Sequence, residues 1–201
     1  METEPLAEER SSSGRRTLAL SLLLGFAFAV GGLVVTAAMS GPDGTETEDR
    51  GGLGPVSGPV AEPLPEVQLE GFGEEAAPVR LTALRGTPLV VNFWATWCAP
   101  CVAEMPDFQQ VAQEAGDEVR FLGVNYRDPD REAARAFVTE LGITYALAVD
   151  AGGEFLAQVG GVGMPTTLFV DAGGLITYRH TGALDAEQLR GLLDDHLGID
   201  V

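Results

Sequence analysis

The chain of 201 residues contains no lysine, and all of its twelve basic residues are arginines. The absence of lysine excludes a Schiff-base mechanism, a phosphate-binding loop built on lysine and a lysine general base. Two cysteines and two histidines are too few for a cysteine-rich zinc module, an iron–sulfur cluster or a scaffold of several disulfides. The formal net charge of −18 argues against a nucleic-acid partner, which needs a basic surface. Any thiol chemistry must therefore use one pair, Cys98 and Cys101.

An uncharged and apolar stretch occupies residues 17–39. A helix of this length would reach about 34 Å, which is enough for a hydrocarbon core of about 30 Å. Arginines lie before it and acidic residues follow it, so the positive-inside rule predicts a single-pass anchor in the bilayer with residues 1–16 in the cytoplasm. The alternative is a cleaved signal sequence, although its apolar part usually has only about 7–15 residues. Under both interpretations the rest of the chain lies outside the cytoplasm, where disulfides persist.

The rest of the chain divides into a linker and one domain. Residues 40–64 are rich in glycine, proline and acidic residues, which predicts a flexible linker that cannot build a core. In residues 65–201, strand-like and helical patterns alternate, which predicts an α/β sandwich with parallel strand pairs. Only a short turn separates the last two predicted strands, which favours an antiparallel hairpin and hence a mixed sheet. The predicted strands are 88–95, 119–125, 144–149, 166–171 and 175–180, and the predicted helices are 99–115, 130–141 and 185–197.

The segment Trp97-Cys98-Ala99-Pro100-Cys101 lies where a buried strand is expected to pass into a helix. At a helix N-terminus, unpaired backbone N–H groups and the helix dipole favour a thiolate on Cys98. Cys101 lies about one turn further on, so both sulfurs fall on one face and can form a reversible disulfide. We therefore predict that Cys98 attacks a client disulfide and that Cys101 resolves the mixed disulfide. The alternatives are half of a zinc site, which would need two further ligands, and a structural disulfide across a loop too short to contribute much.

The segment NFWATWCAPCVAEMP, followed later by Gly163-Met164-Pro165-Thr166-Thr167, resembles thioredoxin-fold proteins and, more narrowly, the membrane-anchored TlpA, ResA and CcmG (DsbE) branch. The resemblance extends over about residues 65–197 and includes GVNYRD at 123–128. It implies a thioredoxin-like sandwich with a mixed central sheet, preceded by one N-terminal transmembrane helix. It also implies that Pro165 is a cis proline facing the cysteine pair, where an extended client segment can add as a strand. We expect no cofactor and no metal beyond the redox-active Cys98–Cys101 disulfide.

Glu104 matches the carboxylate of that branch's Cys-x-x-Cys-x-x-Glu pattern. The resemblance therefore implies that Glu104 transfers protons to and from the cysteine thiols. A carboxylate near a thiol disfavours a second negative charge and could carry the thiol proton. Asn92 stands where cytosolic thioredoxins have a buried Asp, and a neutral amide cannot accept that proton. The alternative for Glu104 is an ordinary solvated glutamate on a helix surface.

The residues between the cysteines predict the direction of electron flow. Oxidising members of the thioredoxin class commonly have a histidine there that stabilises the thiolate, whereas Ala99 and Pro100 cannot hydrogen-bond a sulfur. Together with the acidic domain, this predicts a reducing protein that donates electrons to disulfides of client proteins. The resemblance implies apocytochrome c as a client during cytochrome c maturation and a membrane thiol carrier of the CcdA or DsbD type as the reductant.

Three other functions stay open from the sequence. Thr166 and Thr167 depart from the Pro-Glu-Thr of CcmG-type chains, which leaves room for a general extracytoplasmic disulfide reductase or isomerase of the TlpA type. A redoxin-type peroxidase would need its peroxidatic cysteine in a Pro/Thr-containing loop, which the surroundings of Cys98 fit poorly. A copper-binding module could use two thiolates and a histidine such as His180, although no methionine cluster supports it.

Overall fold

The structure is a computed structural model that describes residues 57–201. The predicted cytoplasmic segment 1–16, the predicted transmembrane helix 17–39 and most of the predicted linker 40–64 lie outside these residues. Within residues 57–201, no helix has both the length and the apolar character that crossing a bilayer requires. The membrane anchor therefore stays a prediction.

Strands and helices alternate along the described part of the chain. The strands are β1 (Gly58–Pro63), β2 (Gln68–Gly71), β3 (Val79–Arg80), β4 (Leu89–Trp94), β5 (Arg120–Tyr126), β6 (Ala146–Asp150), β7 (Thr166–Val170) and β8 (Leu175–Thr181). The α-helices are α1 (Ala99–Ala115), α2 (Arg131–Glu140), α3 (Glu154–Gln158) and α4 (Ala186–Leu197), and a 3-10 helix spans Leu81–Leu84.

The strands form one mixed sheet with β4 near its centre, in the order β1-β8-β7-β4-β5-β6-β2-β3. β4 runs parallel to β5, and β5 runs parallel to β6, whereas β7 is antiparallel to both β4 and β8. All six residues of β4 are buried, because apolar clusters cover both faces of the sheet. Val91 and Phe93 pack on one face with α3, and Val90 packs with α1 and α4. The sheet therefore holds the end of β4, and with it the start of α1, in a fixed place.

Most of the predicted elements are confirmed. The five predicted strands correspond to β4, β5, β6, β7 and β8, and the three predicted helices to α1, α2 and α4. Helix α1 spans Ala99–Ala115 as predicted, and the antiparallel pairing of β7 with β8 confirms the hairpin and the mixed sheet. Asp130 caps α2 and Asp185 caps α4 by accepting hydrogen bonds from backbone N–H groups of the first helical turn.

The prediction of a flexible linker over residues 40–64 is wrong for residues 58–63, because these residues form strand β1. β1 pairs antiparallel with β8, and Gly58 lies opposite Arg179. The strand has no alternating apolar pattern and most of its residues are exposed, so its composition favoured a linker. Main-chain pairing holds it at the edge of the sheet, where prolines are tolerated. β2, β3 and α3 are further elements that the sequence analysis did not predict.

Candidate active site

Cys98 lies at the junction between the buried strand β4 and helix α1. A tight turn joins the two elements, in which the Cys98 N–H donates to the Ala95 carbonyl over 3.1 Å. Cys98 is the residue immediately before α1, its side chain makes no capping hydrogen bond, and Pro100 lies in the first helical turn. The N–H groups of that turn have no helical acceptor, so their partial positive charge favours a thiolate on Cys98.

Cys98 and Cys101 form a disulfide, with their Cα atoms 5.3 Å apart. Cys98 is 6% exposed and Cys101 is fully buried, so Cys98 is the more accessible of the two cysteines. Cys101 packs in an apolar cluster that includes Trp94 and Met105. Such surroundings disfavour a thiolate charge on Cys101 unless a neighbouring base takes its proton.

Glu104 is buried on the inner face of α1, with 2% of its surface exposed. Its Oε1 accepts a hydrogen bond from Asn92 Nδ2 over 2.8 Å, and its Oε2 accepts one from the Leu184 N–H over 2.9 Å. Burial raises the pKa of Glu104 to about 7, and the charge of Asp107 adds to this, although the two hydrogen bonds oppose it. The alternative of a solvated surface glutamate is therefore wrong, and the carboxyl group can gain or lose a proton near neutral pH.

Asn92 links Glu104 to strand β7. Its Nδ2 donates both to Glu104 and, over 3.2 Å, to Thr167 Oγ1, whereas its buried Oδ1 has no hydrogen-bond partner. An amide rotated by half a turn would present Oδ1 to the same two groups, and a protonated Glu104 and the Thr167 hydroxyl can both donate to it. Asn92 can therefore match either protonation state of Glu104, which an aspartate at this position could not do without repulsion.

Pro165 immediately precedes β7, and the Met164–Pro165 peptide bond is cis. The Pro165 carbonyl accepts a hydrogen bond from the Gly182 N–H over 3.0 Å, and Pro165 itself is buried. Met164, the residue before it, lines an open groove together with Cys98. The cis peptide bond that the resemblance implied at Pro165 is therefore present, and the residues just before it, Gly163 and Met164, line the groove.

An open groove of about 440 Å³ lies beside the Cys98–Cys101 disulfide. We call it the client groove; its lining residues are Trp97, Cys98, Ala99, Pro100, Tyr126, Leu156, Gly161, Val162, Gly163 and Met164. Trp97 is 55% exposed and Val162 is 62% exposed, so two large, exposed apolar side chains line the groove together with Cys98. Val162 and Tyr126 were not predicted from the sequence, although Tyr126 belongs to the GVNYRD segment that carried the resemblance.

The two histidines lie outside this constellation. His196 stacks on Tyr178 with ring centroids 4.0 Å apart, which gives it a structural role on α4. His180 lies on β8, and burial lowers its pKa. Among residues 57–201, no three histidine, cysteine or acidic side chains are grouped so that they could hold a metal ion. The described structure therefore does not bring His180 together with the two cysteines as a copper site.

Comparison with known proteins agrees with this geometry. A family model described as Redoxin matches residues 59–193. The thiol:disulfide interchange protein DsbE of Escherichia coli K12 is 36% identical over 128 residues, which are 63% of this chain and 67% of that protein. The thiol-disulfide oxidoreductase ResA of Oceanobacillus iheyensis is 36% identical over 141 residues, 68% of this chain and 72% of that protein. The solved structure of a DsbF homologue from Corynebacterium diphtheriae superposes with a TM-score of 0.64 at 31% identity, covering 71% of this chain and 94% of that one. The predicted thioredoxin-like fold is confirmed.

Proposed function

Since the chain belongs to the redoxin family and is a thiol-disulfide oxidoreductase, we propose that it reduces disulfides of client proteins outside the cytoplasm. The observation that carries the proposal is the unequal exposure of the two cysteines beside the client groove. An accessible sulfur at a helix N-terminus suits attack, and a buried sulfur suits resolution.

The reaction transfers two electrons in two exchange steps. The Cys98 thiolate attacks one sulfur of the client disulfide, so a mixed disulfide forms and the other client sulfur leaves as a thiolate. The Cys101 thiol then loses its proton and attacks Cys98 Sγ, which breaks the mixed disulfide and releases the second client thiolate. The client disulfide is reduced to two thiols, and the protein dithiol is oxidised to the Cys98–Cys101 disulfide.

Glu104 is the group that we propose takes the proton from Cys101. It lies three residues further along α1, on the same helical face. A pKa of about 7 lets it accept a proton in the resolving step and release it again without leaving the neutral range. Asn92 supports this cycle, because its amide has a donor for the carboxylate and an acceptor for the acid.

The client groove fits an extended apolar segment that carries a disulfide. Trp97 and Val162 would contact side chains on either side of the client cysteine, and the backbone around Met164 would pair with the segment as an added strand. We propose the Cys-x-x-Cys-His segment of apocytochrome c as a client during cytochrome c maturation. We further propose a membrane thiol carrier of the CcdA or DsbD type as reductant, with residues 17–39 holding the domain at the bilayer.

The direct test mixes the reduced full-length protein with an oxidised Cys-x-x-Cys-His peptide and follows both disulfides by alkylation and mass spectrometry. We expect one peptide dithiol for each protein disulfide formed, and faster reduction than for a disulfide peptide of unrelated sequence. Equal rates for the two peptides would point to a general disulfide reductase. A reduction potential near the roughly −120 mV of DsbA would contradict the proposed direction of electron flow.

A charge placed in the client groove should weaken reduction of a peptide selectively. Val162→Asp puts a carboxylate among apolar lining residues, so we expect kcat/KM for a peptide disulfide to fall about tenfold, with little change for a small soluble disulfide. Leu175→Asp is the matched control, because Leu175 is also an exposed large apolar residue but lies on β8 outside the groove. Equal losses in the two variants would contradict docking in the groove.

A further inference from the structure

Asp128 lies in the turn between β5 and α2 and connects it to the turn that precedes Cys98. Its Oδ2 accepts a hydrogen bond from the Thr96 N–H over 2.8 Å, and its Oδ1 accepts one from Thr96 Oγ1 over 2.9 Å. Oδ2 also accepts from Asn125 Nδ2 over 3.1 Å. One carboxylate thus binds both the backbone and the side chain of a residue that lies two positions before the attacking cysteine.

The Asn125 side chain also contacts this carboxylate. Asn125 is fully buried at the end of β5, and its Oδ1 has no hydrogen-bond partner. Burying an amide is costly unless it is hydrogen-bonded, and Asn125 Nδ2 offsets part of that cost by donating to Asp128 Oδ2. Because the same Oδ2 accepts from the Thr96 N–H, Asn125 and Thr96 together hold the carboxylate between β5 and the turn before Cys98.

The residues around Asp128 are also tightly held. Arg127 has a left-handed backbone with φ of 44°, which is uncommon for a residue other than glycine. Its N–H donates to the Asp150 carbonyl over 3.2 Å, and its Nε donates to the Gly152 carbonyl over 2.7 Å. The Tyr126 ring meets the Trp97 ring edge-on, with centroids 6.3 Å apart. The segment 125–128 therefore contacts the turn before Cys98 both at Thr96 and at Trp97.

We propose that Asp128 is a positioning residue for the exchange reaction, which fixes the Thr96–Cys98 turn so that Cys98 Sγ and the Trp97 ring face the client. The inference rests on the proposed function only in assuming that Cys98 attacks a client disulfide. The positioning of Cys98 does not depend on which client it is. In the mixed-disulfide step the attacking sulfur must lie in line with the client disulfide. A turn free to move would spend less time in that geometry, and small displacements of a reacting group are costly to rate.

Two pairs of variants of the full-length protein separate positioning from charge. Asp128→Ala and Asp128→Asn both remove the negative charge, but only the Asn variant keeps an oxygen that can accept from Thr96. Thr96→Val and Thr96→Ser differ in the hydroxyl group that donates to Oδ1. Asp130→Asn is the matched control, because it removes a charge from the same turn and keeps the helix cap of α2.

The measurement is the rate at which Cys98 in the reduced protein reacts with iodoacetamide, together with the single-turnover rate with a disulfide peptide. We expect Asp128→Ala to lower both rates about tenfold relative to Asp128→Asn, and Thr96→Val to lower them relative to Thr96→Ser. Asp130→Asn should match the wild type within about twofold. Denaturation of each oxidised variant identifies any that does not fold.

Equal rates for Asp128→Ala and Asp128→Asn would overturn the inference. If the Ala variant does not fold, the two Thr96 variants decide in its place, and equal rates for them would overturn the inference as well. A wild-type protein that reduces no peptide, while the alkylation rates still differ as expected, would contradict the proposed function and leave the positioning role standing.

Discussion

Replacing Cys98 with serine should lower the rate of client disulfide reduction by more than about a thousandfold, because a hydroxyl is a far weaker nucleophile than a thiolate at neutral pH. Cys98 is the accessible cysteine, and Cys101 is fully buried, so the remaining thiol cannot take over the attack. The measurement is the rate of peptide reduction by the purified reduced protein. Serine is nearly the size of cysteine, so the fold should survive the change.

Cys101→Ser is the matched variant and should behave differently. It keeps Cys98 at the N-terminus of α1, so the first exchange step proceeds, but nothing resolves the mixed disulfide. We expect a covalent protein–client adduct to accumulate, visible as a mass increase that a reducing agent reverses. Two results would contradict the assigned order of attack. One is full activity in Cys98→Ser, and the other is an adduct that forms in Cys98→Ser but not in Cys101→Ser.

The elements that carry the cysteines were predictable because their signals are local. Because β4 is buried on both faces, its sequence is a short and mostly apolar run, which predicts a strand. The composition of Ala99–Ala115 predicts the helix that follows. The thiolate-stabilising position of Cys98 follows from that junction alone. The same local reasoning failed for β1, because an exposed edge strand is held by main-chain pairing with β8 and needs no apolar pattern.

The surroundings of Glu104 could not be predicted from local sequence. Glutamate on a helix is usually exposed, and its burial here depends on partners distant in the chain. Leu184, whose N–H binds the carboxylate, lies 80 residues further on, and Asn92 lies on a different element. The contact between Asp128 and Thr96 likewise spans 32 residues. Such contacts are set by how the sheet brings loops together. The resemblance implied a role for Glu104, whereas its burial and its hydrogen-bond partners are visible only in the structure.

Glu104→Gln should lower the rate of client release about a hundredfold, because the amide cannot accept the Cys101 proton in the resolving step. The first attack by Cys98 should stay nearly unchanged, so the variant should accumulate the mixed disulfide transiently. Rapid mixing followed by acid quenching and alkylation separates the two steps. We expect the fold to tolerate the change, because Asn92 can turn its unpaired Oδ1 toward the new amide.

The same substitution should change stability in a pH-dependent way. The folded-state pKa of Glu104 is about 7, above its usual 4.5, so the folded protein retains this proton while the unfolded chain ionises. Stability of the wild type should therefore fall as pH rises from about 4.5 to about 7, by up to about 3 kcal/mol from this group. Urea denaturation of the oxidised protein measures this loss, which Glu104→Gln should remove.

Glu114→Gln is the control on the same helix, because Glu114 is a surface residue paired with Arg190 over 2.7 Å. It should alter neither the resolving step nor the fall in stability between about pH 4.5 and 7, since an exposed ion pair contributes only about 0–1 kcal/mol. A Glu104→Gln variant that releases client as fast as the wild type would refute the proton transfer. If such a variant also kept the pH dependence of the wild type, the raised pKa would belong to another group.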